Sequence, residues 1–329
     1  MKINAAHGGG GKLMNRLIHD IFEKHFANET LSAMEDAAVL NLPAGKIAFT
    51  TDSFVVTPLF FPSGDIGKLA VCGTVNDLLM RGAIPKYLTA GFILEDGLDT
   101  ETLEQVAASM KQAADEAGVQ IVAGDTKVID GKGGLYINTA GIGLVETSLN
   151  VSVHRAEAGD VVLLSGFLGN HHASIQSGRL GIENKIQSDC APLNDMVLGL
   201  LKAGVEVHTL RDITRGGLAS VLNEIAEGSG VCIGLDGGLI LADAEVQGFC
   251  DILGLDPLYM GNEGKLVAMV PERDAQKALS VLHNARYGEN AQRIGKVSAC
   301  EKPIVTIRTR AGGTRRIDTL QGEGLPRIC

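Results

Sequence analysis

The apolar residues of this chain form two successive series of strand-like and helix-like segments, and this alternation limits the folds open to it. In the first series, residues 13–26 have helical spacing. Predicted strands follow at 38–42, 47–56, 87–94, 120–128 and 135–145, with predicted helices at 66–81 and 100–117. Thr100 is the predicted N-cap of the last helix, and Gly118 closes it. Because two strands separate several of the helices, the pattern favours an α+β fold over a uniform doubly wound sheet.

A second series begins after a polar stretch at 152–160. Its predicted strands are 161–164, 231–235, 265–270 and 304–308, and its predicted helices are 172–179, 193–202, 217–227, 242–253 and 272–285. A chain of 329 residues is long enough for two hydrophobic cores. We therefore predict an N-terminal domain over 1–153, a C-terminal domain over 154–318 and a mobile tail over 319–329.

The charge balance argues against nonspecific binding to nucleic acid or to an anionic membrane. Lysine and arginine number 29 against 39 aspartates and glutamates, for a net charge of −10, and phosphate-rich partners favour positive charge. No stretch is long and apolar enough for a membrane span, and the first residues lack an apolar signal core. We predict a cytoplasmic protein without a nucleic-acid or membrane partner.

Six cysteines lie too far apart for a zinc site, since the closest two are Cys232 and Cys250. The first five are expected to be structural thiols. Cys329 differs because it is the last residue, preceded by two glycines and a proline within nine residues. Eleven steps separate it from Asp318, a reach of about 35–40 Å. The terminal thiol could therefore enter a cleft on its own subunit or on a neighbour.

Five aspartates lie at the end of apolar runs or within them, where a lone carboxylate is costly to bury. They are Asp36, Asp52, Asp77, Asp125 and Asp212. Each alone could be a helix cap or a turn residue. Together they suggest one site at which Mg²⁺ and nucleotide phosphates neutralise the carboxylates.

Glycine-rich segments supply candidate phosphate contacts. His7 is followed by Gly8, Gly9, Gly10 and Gly11, which could cover phosphates or could simply be a mobile start. Gly216 and Gly217 open a predicted helix whose N-terminus could receive an anion. Lys127 is a candidate cation or a solvated loop residue. Glu263 lies in a Gly-Asn-Glu-Gly stretch that could present its carboxylate to a ligand or form a plain turn.

These segments together resemble the aminoimidazole-ribonucleotide synthetase (PurM-like) superfamily of ATP-dependent enzymes and, within it, the carbamoyl dehydratases of hydrogenase maturation. The resemblance covers essentially the whole chain. It is carried by His7-Gly-Gly-Gly-Gly, Thr-Thr-Asp52-Ser-Phe-Val-Val, Cys72-Gly-Thr-Val-Asn-Asp77-Leu, Gly124-Asp-Thr-Lys-Val, Asp212-Ile-Thr-Arg-Gly-Gly-Leu, Asn262-Glu-Gly-Lys-Leu and Pro326-Arg-Ile-Cys329. The acidic motifs indicate an ATP site, whereas the terminal motif is specific to the dehydratases.

The resemblance implies a two-domain PurM-like architecture: an N-terminal sheet-plus-helix domain that pairs in a homodimer, a C-terminal α/β sandwich and a flexible tail. It implies that HypF loads a carbamoyl group onto Cys329, that ATP drives its dehydration to S-cyanate, and that the HypC–HypD complex accepts the cyano group for the iron of [NiFe]-hydrogenase. It makes Glu263 the base at the amide nitrogen and Lys127 the cation on the oxygen side. The five aspartates become Mg²⁺–ATP ligands, and Asn76 and Thr126 join the glycine motifs in nucleotide binding.

Two alternatives remain at this point. Another PurM-like enzyme, such as a thiamine-phosphate kinase or a selenophosphate synthetase, would share the carboxylates but would not need a terminal thiol. A non-enzymatic assembly factor would use the tail only for docking, through Leu325 and Ile328.

Overall fold

The computed structural model describes residues 2–8, 12–33 and 37–319, which form two sheets with helices packed on them. Gly9, Gly10, Gly11 and Asp36 lie outside the described residues, as do Leu325, Ile328 and Cys329.

The N-terminal domain is built on a four-stranded sheet in the order β1-β6-β4-β5. Its strands are β1 Lys46–Phe54, β4 Ala83–Glu95, β5 Gln120–Ile129 and β6 Leu135–Val145, and a separate small hairpin is formed by β2 Phe60–Phe61 and β3 Gly64–Asp65. Its helices are α1 Lys12–Leu17, a π-helical turn Ile18–Glu23, α2 Lys24–Phe26, α3 Ile66–Leu79 and α4 Thr100–Ala117, with 3₁₀ turns at Ala5–Gly8 and Leu31–Ala33.

One face of this sheet is covered by α3, which packs against β1, β4 and β6. The carboxylate of Asp65 begins the helix by accepting hydrogen bonds from the backbone N–H groups of Gly67 and Lys68. The next helix, α4, has Asp99 as its N-cap, so the prediction of Thr100 at that position is wrong by one residue. Gly118 ends α4 in the left-handed conformation, as predicted.

The C-terminal domain contains a seven-stranded sheet in the order β13-β12-β9-β11-β7-β10-β8. Its strands are β7 Asp160–Leu164, β8 Thr209–Asp212, β9 Cys232–Asp236, β10 Leu266–Pro271, β11 Gln292–Ser298, β12 Ile304–Arg308 and β13 Thr314–Ile317. Its helices are α5 Asn170–Leu180, α6 Asn194–Lys202, α7 Gly217–Ser229, α8 Ala244–Leu253 and α9 Ala275–Asn284, with 3₁₀ turns at Pro257–Tyr259 and Glu272–Asp274.

The sequence predicted most of these elements but not all of them. The strand predicted at 38–42 is wrong, because these residues have no regular structure. Strands β8, β11 and β13 were missed, since they are short or carry polar residues at most positions. Cys232 and Cys300 form a disulfide, so the prediction that both are thiols is wrong, whereas Cys72, Cys190 and Cys250 are free and buried.

No helix in the described part of the chain is long and apolar enough to cross a membrane.

A buried ion pair in the C-terminal domain gives a pH-dependent stability. Burial lowers the pKa of His208, but its hydrogen bonds and charge interactions with Asp160 and Glu206 outweigh this and raise the pKa above 6.5. The stabilisation is therefore complete below pH 6.5 and is lost as the pH rises through the folded-state pKa. We expect the difference in melting temperature between the wild-type protein and His208→Gln to shrink between about pH 6 and about pH 9. A difference that grows over this range would contradict the assignment.

Candidate active site between the domains

Three of the predicted aspartates and Glu263 come together where the two domains meet. Asp52 is on β1 and Asp77 is on α3, while Asp212 ends β8 in the other domain. The side chain of Asp52 faces α3, since a Cβ built on Gly73 would lie 3.8 Å from its Oδ2. The pKa of Asp77 rises to about 6 because its carboxyl group is buried and because Asp212 and Asp52 are close to it. The structure thus brings Asp52, Asp77 and Asp212 into one acidic cleft.

Local hydrogen bonds orient these carboxylates. The Thr50 hydroxyl donates to Oδ2 of Asp77 at 2.9 Å. The guanidinium of Arg211 donates to Asp212, but burial still raises the pKa of Asp212. Burial and mutual repulsion make the charged form of such a cluster unfavourable until a cation enters.

Glu263 is the most strongly perturbed carboxyl group of the cleft. It is 4% exposed. Burial raises its pKa well above the usual range, with further contributions from Cys190, Asp212, Asp189 and Asp52. Such a group, once ionised, is a strong base, as proton abstraction from nitrogen requires.

The loop that carries Glu263 is fixed on both sides. Before it, the Asn262 amide donates to the Met260 carbonyl at 3.0 Å and accepts from the Gly169 N–H at 2.8 Å. After it, a Cβ on Gly264 would lie 1.8 Å from the carbonyl oxygen of Asp189, so only glycine fits there. The glycine and asparagine of the predicted motif are thus required by the conformation of the loop.

Asp125 and Lys127 do not join this cleft within one subunit. They lie on β5, at the opposite edge of the sheet from β1, three strand spacings or about 14 Å away. Both are exposed and project from the sheet face opposite α3. Lys127 Nζ lies 2.6 Å from the Asp125 carboxylate and lowers its pKa. Within one subunit Asp125 therefore lies apart from Asp52, Asp77 and Asp212, and its place in the shared site stays a prediction.

The sheet face that carries Asp125 and Lys127 also carries a group of apolar side chains that no other described residues cover, beside the polar side chains of Thr51, Ser53 and Asn138. Its exposed side chains include Ile47, Phe49, Ile84, Ile93 and Ile129, and Phe49 is 68% exposed. An apolar face of this size on a sheet normally packs against another protein surface.

Of the glycine motifs, His7, Gly8, Gly216 and Gly217 lie within the described residues. His7 is buried, Gly8 ends the 3₁₀ turn at Ala5–Gly8, and this turn packs on β5, where Thr126 is buried. Gly216 and Gly217 have φ angles of 74° and 63° at the start of α7. A Cβ on Gly217 would lie 2.5 Å from the carbonyl oxygen of Leu258, so this close approach requires glycine.

Several residues of the site were not predicted from the sequence. Asp189 and Cys190 lie beside Glu263 in a segment without regular structure, which gives no periodic signal. Cys72, on α3, contacts Cys190 across the domain boundary. His171 is buried and shares a 2.8 Å hydrogen bond with the hydroxyl of Ser188. The side chain of Asn76, a predicted nucleotide ligand, bonds to the main chain of the other domain.

The last described residues lead to the same loop. The Tyr259 hydroxyl donates to the carbonyl of Asp318 at 3.1 Å, and Tyr259 is four residues before Glu263. Four chain steps span at most about 15 Å, so Asp318 is tied to the chain segment that leads into the Glu263 loop.

Among residues 2–8, 12–33 and 37–319, no group of three or more His, Cys, Asp or Glu side chains is placed so that these side chains alone could hold a metal ion. The oxygen donors of the cleft suit a hard cation that also takes ligands from phosphate and water.

The fold and this cleft define a two-domain protein of the AIR synthase related class. The family of the AIR synthase related protein N-terminal domain matches residues 34–145, and that of the C-terminal domain matches residues 157–308. The carbamoyl dehydratase HypE of Azotobacter vinelandii is 46% identical over 99% of this chain and 97% of its own length. The HypE of Escherichia coli K12 is 44% identical over 99% of both chains. The chain belongs to the HypE carbamoyl dehydratase family.

Solved structures agree with this assignment. A structure of the hydrogenase maturation protein HypE in complex with ATP matches with a TM-score of 0.95 at 46% identity, covering 99% of both chains. A HypE–HypF complex matches with a TM-score of 0.81 at 46% identity, covering 92% of this chain and 99% of that one. The thiamine-monophosphate kinase of Stenotrophomonas maltophilia, at 19% identity, 89% and 95% coverage and a TM-score of 0.67, shares the fold alone.

Proposed function

We propose that this chain dehydrates a carbamoyl group on the sulfur of its own Cys329 to S-cyanate at the expense of ATP. The product supplies cyanide for the iron of [NiFe]-hydrogenase. The observation that carries the proposal is the buried carboxyl group of Glu263, four residues after Tyr259, whose hydroxyl bonds to Asp318. The segment beyond Asp318 reaches about 35–40 Å when extended, which is ample for the terminal thiol to meet Glu263.

The proposed reaction passes through a phosphorylated carbamoyl group. The carbamoyl oxygen attacks the γ-phosphorus of ATP and ADP leaves. Glu263 accepts a proton from the carbamoyl nitrogen, and the carbon–oxygen bond breaks with loss of phosphate. The departing phosphate takes up the second nitrogen proton, which completes the S–C≡N group. An amide oxygen is a poor leaving group and phosphate a good one, so the phosphoryl transfer mainly requires positioning and charge neutralisation.

Asp52, Asp77 and Asp212 are the residues that we propose hold Mg²⁺ together with the nucleotide phosphates. These three carboxylates suit Mg²⁺ because they are negatively charged oxygen ligands. The pKa values of Asp77 and Asp212 are raised, so a bound cation would stabilise their charged forms. When bound, the ion would neutralise charge on the transferred phosphoryl group. Asp36, which lies outside the described residues, remains a predicted ligand.

We infer that the active unit is a homodimer formed through the apolar sheet face. A two-fold axis against that face would bring β5 of the partner towards β1, and with it a second Asp125 and Lys127. Lys127 would then stabilise negative charge on the carbamoyl oxygen of the neighbouring cleft. His7 and Gly8, in the turn that packs on β5, and Thr126 would contribute to the same nucleotide site, and Gly9, Gly10 and Gly11 stay predicted ligands.

HypF is the proposed carbamoyl donor, in line with the solved HypE–HypF complex. The HypC–HypD complex is the proposed acceptor of the cyano group. Because ATP and these maturation partners are needed together, we place the reaction in the cytoplasm.

Intact-mass spectrometry tests the proposal. After incubation with HypF, carbamoyl phosphate and ATP, the C-terminal peptide should gain a carbamoyl group in place of the thiol proton. It should then lose the mass of one water. An unchanged mass at Cys329, with HypF active on a known HypE as the control, would contradict the proposal.

A further inference from the structure

Asn76 is a buried residue of the N-terminal domain, and its side-chain bonds to the described residues all go to the main chain of the C-terminal domain. Its Nδ2 donates to the carbonyl oxygens of Ala191, at 3.1 Å, and of Glu263, at 3.3 Å. Its Oδ1 accepts from the N–H of Leu193 at 2.9 Å. A single amide thus ties α3 to two separate segments of the other domain.

Those two segments are also bonded to each other around Glu263. The N–H of Ala191 donates to the Glu263 carbonyl at 3.4 Å, and the N–H of Glu263 donates to Oδ1 of Asp189 at 3.2 Å. The main chain of Glu263 is therefore held by bonds from Asn76, Ala191 and Asp189. The main chain of Glu263 cannot shift relative to α3 without breaking these bonds.

Asn76 is next to Asp77 in the sequence but serves a different purpose. The Asp77 carboxylate accepts from the Thr50 hydroxyl on β1, so it faces the strand. Both N–H groups and the oxygen of the Asn76 amide are hydrogen-bonded to the other domain. No donor of this side chain is therefore left for a nucleotide. The sequence motif that contains both residues thus combines a cleft carboxylate with a domain contact.

We propose that Asn76 is a positioning residue, which holds the main chain of Glu263 so that its carboxyl group meets the carbamoyl nitrogen. This proposal rests on the proposed function, in which Glu263 is the base. Catalysis by a base is sensitive to small displacements, because proton transfer needs hydrogen-bond contact. Loss of the Asn76 bonds should therefore slow dehydration without weakening the binding of ATP.

The test uses full-length protein carbamoylated by HypF. At saturating ATP, Asn76→Ala should lower the single-turnover rate of cyanate formation at least about tenfold and change the Kd for ATP by less than about twofold. Asn76→Asp, which keeps the shape and the acceptor but removes both donors, should do the same if the alanine variant folds poorly. Asn194→Ala is the matched control, because its amide also bridges the domains, to the carbonyl of Ala117, but does not contact the Glu263 loop.

A raised Kd for ATP with an unchanged rate at saturation would make Asn76 a nucleotide ligand and overturn the proposal. An equal loss of rate in Asn194→Ala would also overturn it, because domain coupling alone would then be responsible.

Hydrogen–deuterium exchange gives a readout that does not depend on activity. Exchange at residues 189–193 and 261–264 should accelerate in Asn76→Ala and not in Asn194→Ala. Unchanged exchange would refute the role of Asn76, whereas wild-type protein that forms no cyanate would refute the proposed function instead.

Discussion

Replacing Cys329 with alanine should abolish both HypF-dependent carbamoylation and cyanate formation, while the binding of ATP stays within about twofold of wild type. The proposed mechanism gives this the largest effect of any single substitution, because the thiol is the substrate itself. The acidic cleft is formed by Asp52, Asp77, Asp212 and Glu263, none of which belongs to the C-terminal segment. Intact-mass spectrometry and a direct nucleotide-binding assay measure the two quantities separately.

Cys250→Ala is the matched control. Cys250 is also a free thiol, but it is buried against the sulfur of Met260. Its loss should leave carbamoylation and dehydration intact. Product formation coupled to ATP in Cys329→Ala would favour a kinase or synthetase of the same superfamily. Partner binding that survives alkylation of the thiol, in a protein that forms no cyanate before alkylation either, would favour a docking role for the C-terminal segment.

The sequence predicted the parts of the fold and cleft that depend on local pattern. Asp52, Asp77 and Asp212 were found because each carboxylate interrupts or ends an apolar run. Strand β11 was missed because its seven residues include arginine, lysine and glutamine, and its place in the middle of the sheet depends on partners elsewhere in the chain.

Contacts between the domains could not be predicted in this way. Asn76 bonds to residues 115 and 187 positions away, and the disulfide joins cysteines 68 positions apart. No periodicity within a segment reports such pairings. The position of Asp125 at the edge of the sheet far from β1 could not be predicted either, because the strand order β1-β6-β4-β5 does not follow the order of the chain.

The strand order also leads to a prediction about which subunit supplies each residue of the active site. Lys127→Ala and Glu263→Gln should each abolish dehydration as homodimers. If each site combines Glu263 of one subunit with Lys127 of its partner, a dimer containing one subunit of each variant has one intact site. Random mixing of the two variants should therefore restore about one quarter of wild-type activity. If both residues acted within one subunit, the mixture would stay inactive.

The reciprocal mixture provides the control. A Lys127→Ala/Glu263→Gln double variant mixed equally with wild-type protein forms hybrid dimers in which both shared sites are broken. Activity should then fall to about one quarter, whereas sites confined to one subunit would leave about one half. Co-expression with two affinity tags allows the hybrid dimers to be purified, so that slow subunit exchange does not affect the result. Because β1 and β5 are the two edge strands of the sheet, about 14 Å apart, the mixing experiment decides whether Lys127 acts with the carboxylates of its own subunit or with those of a partner.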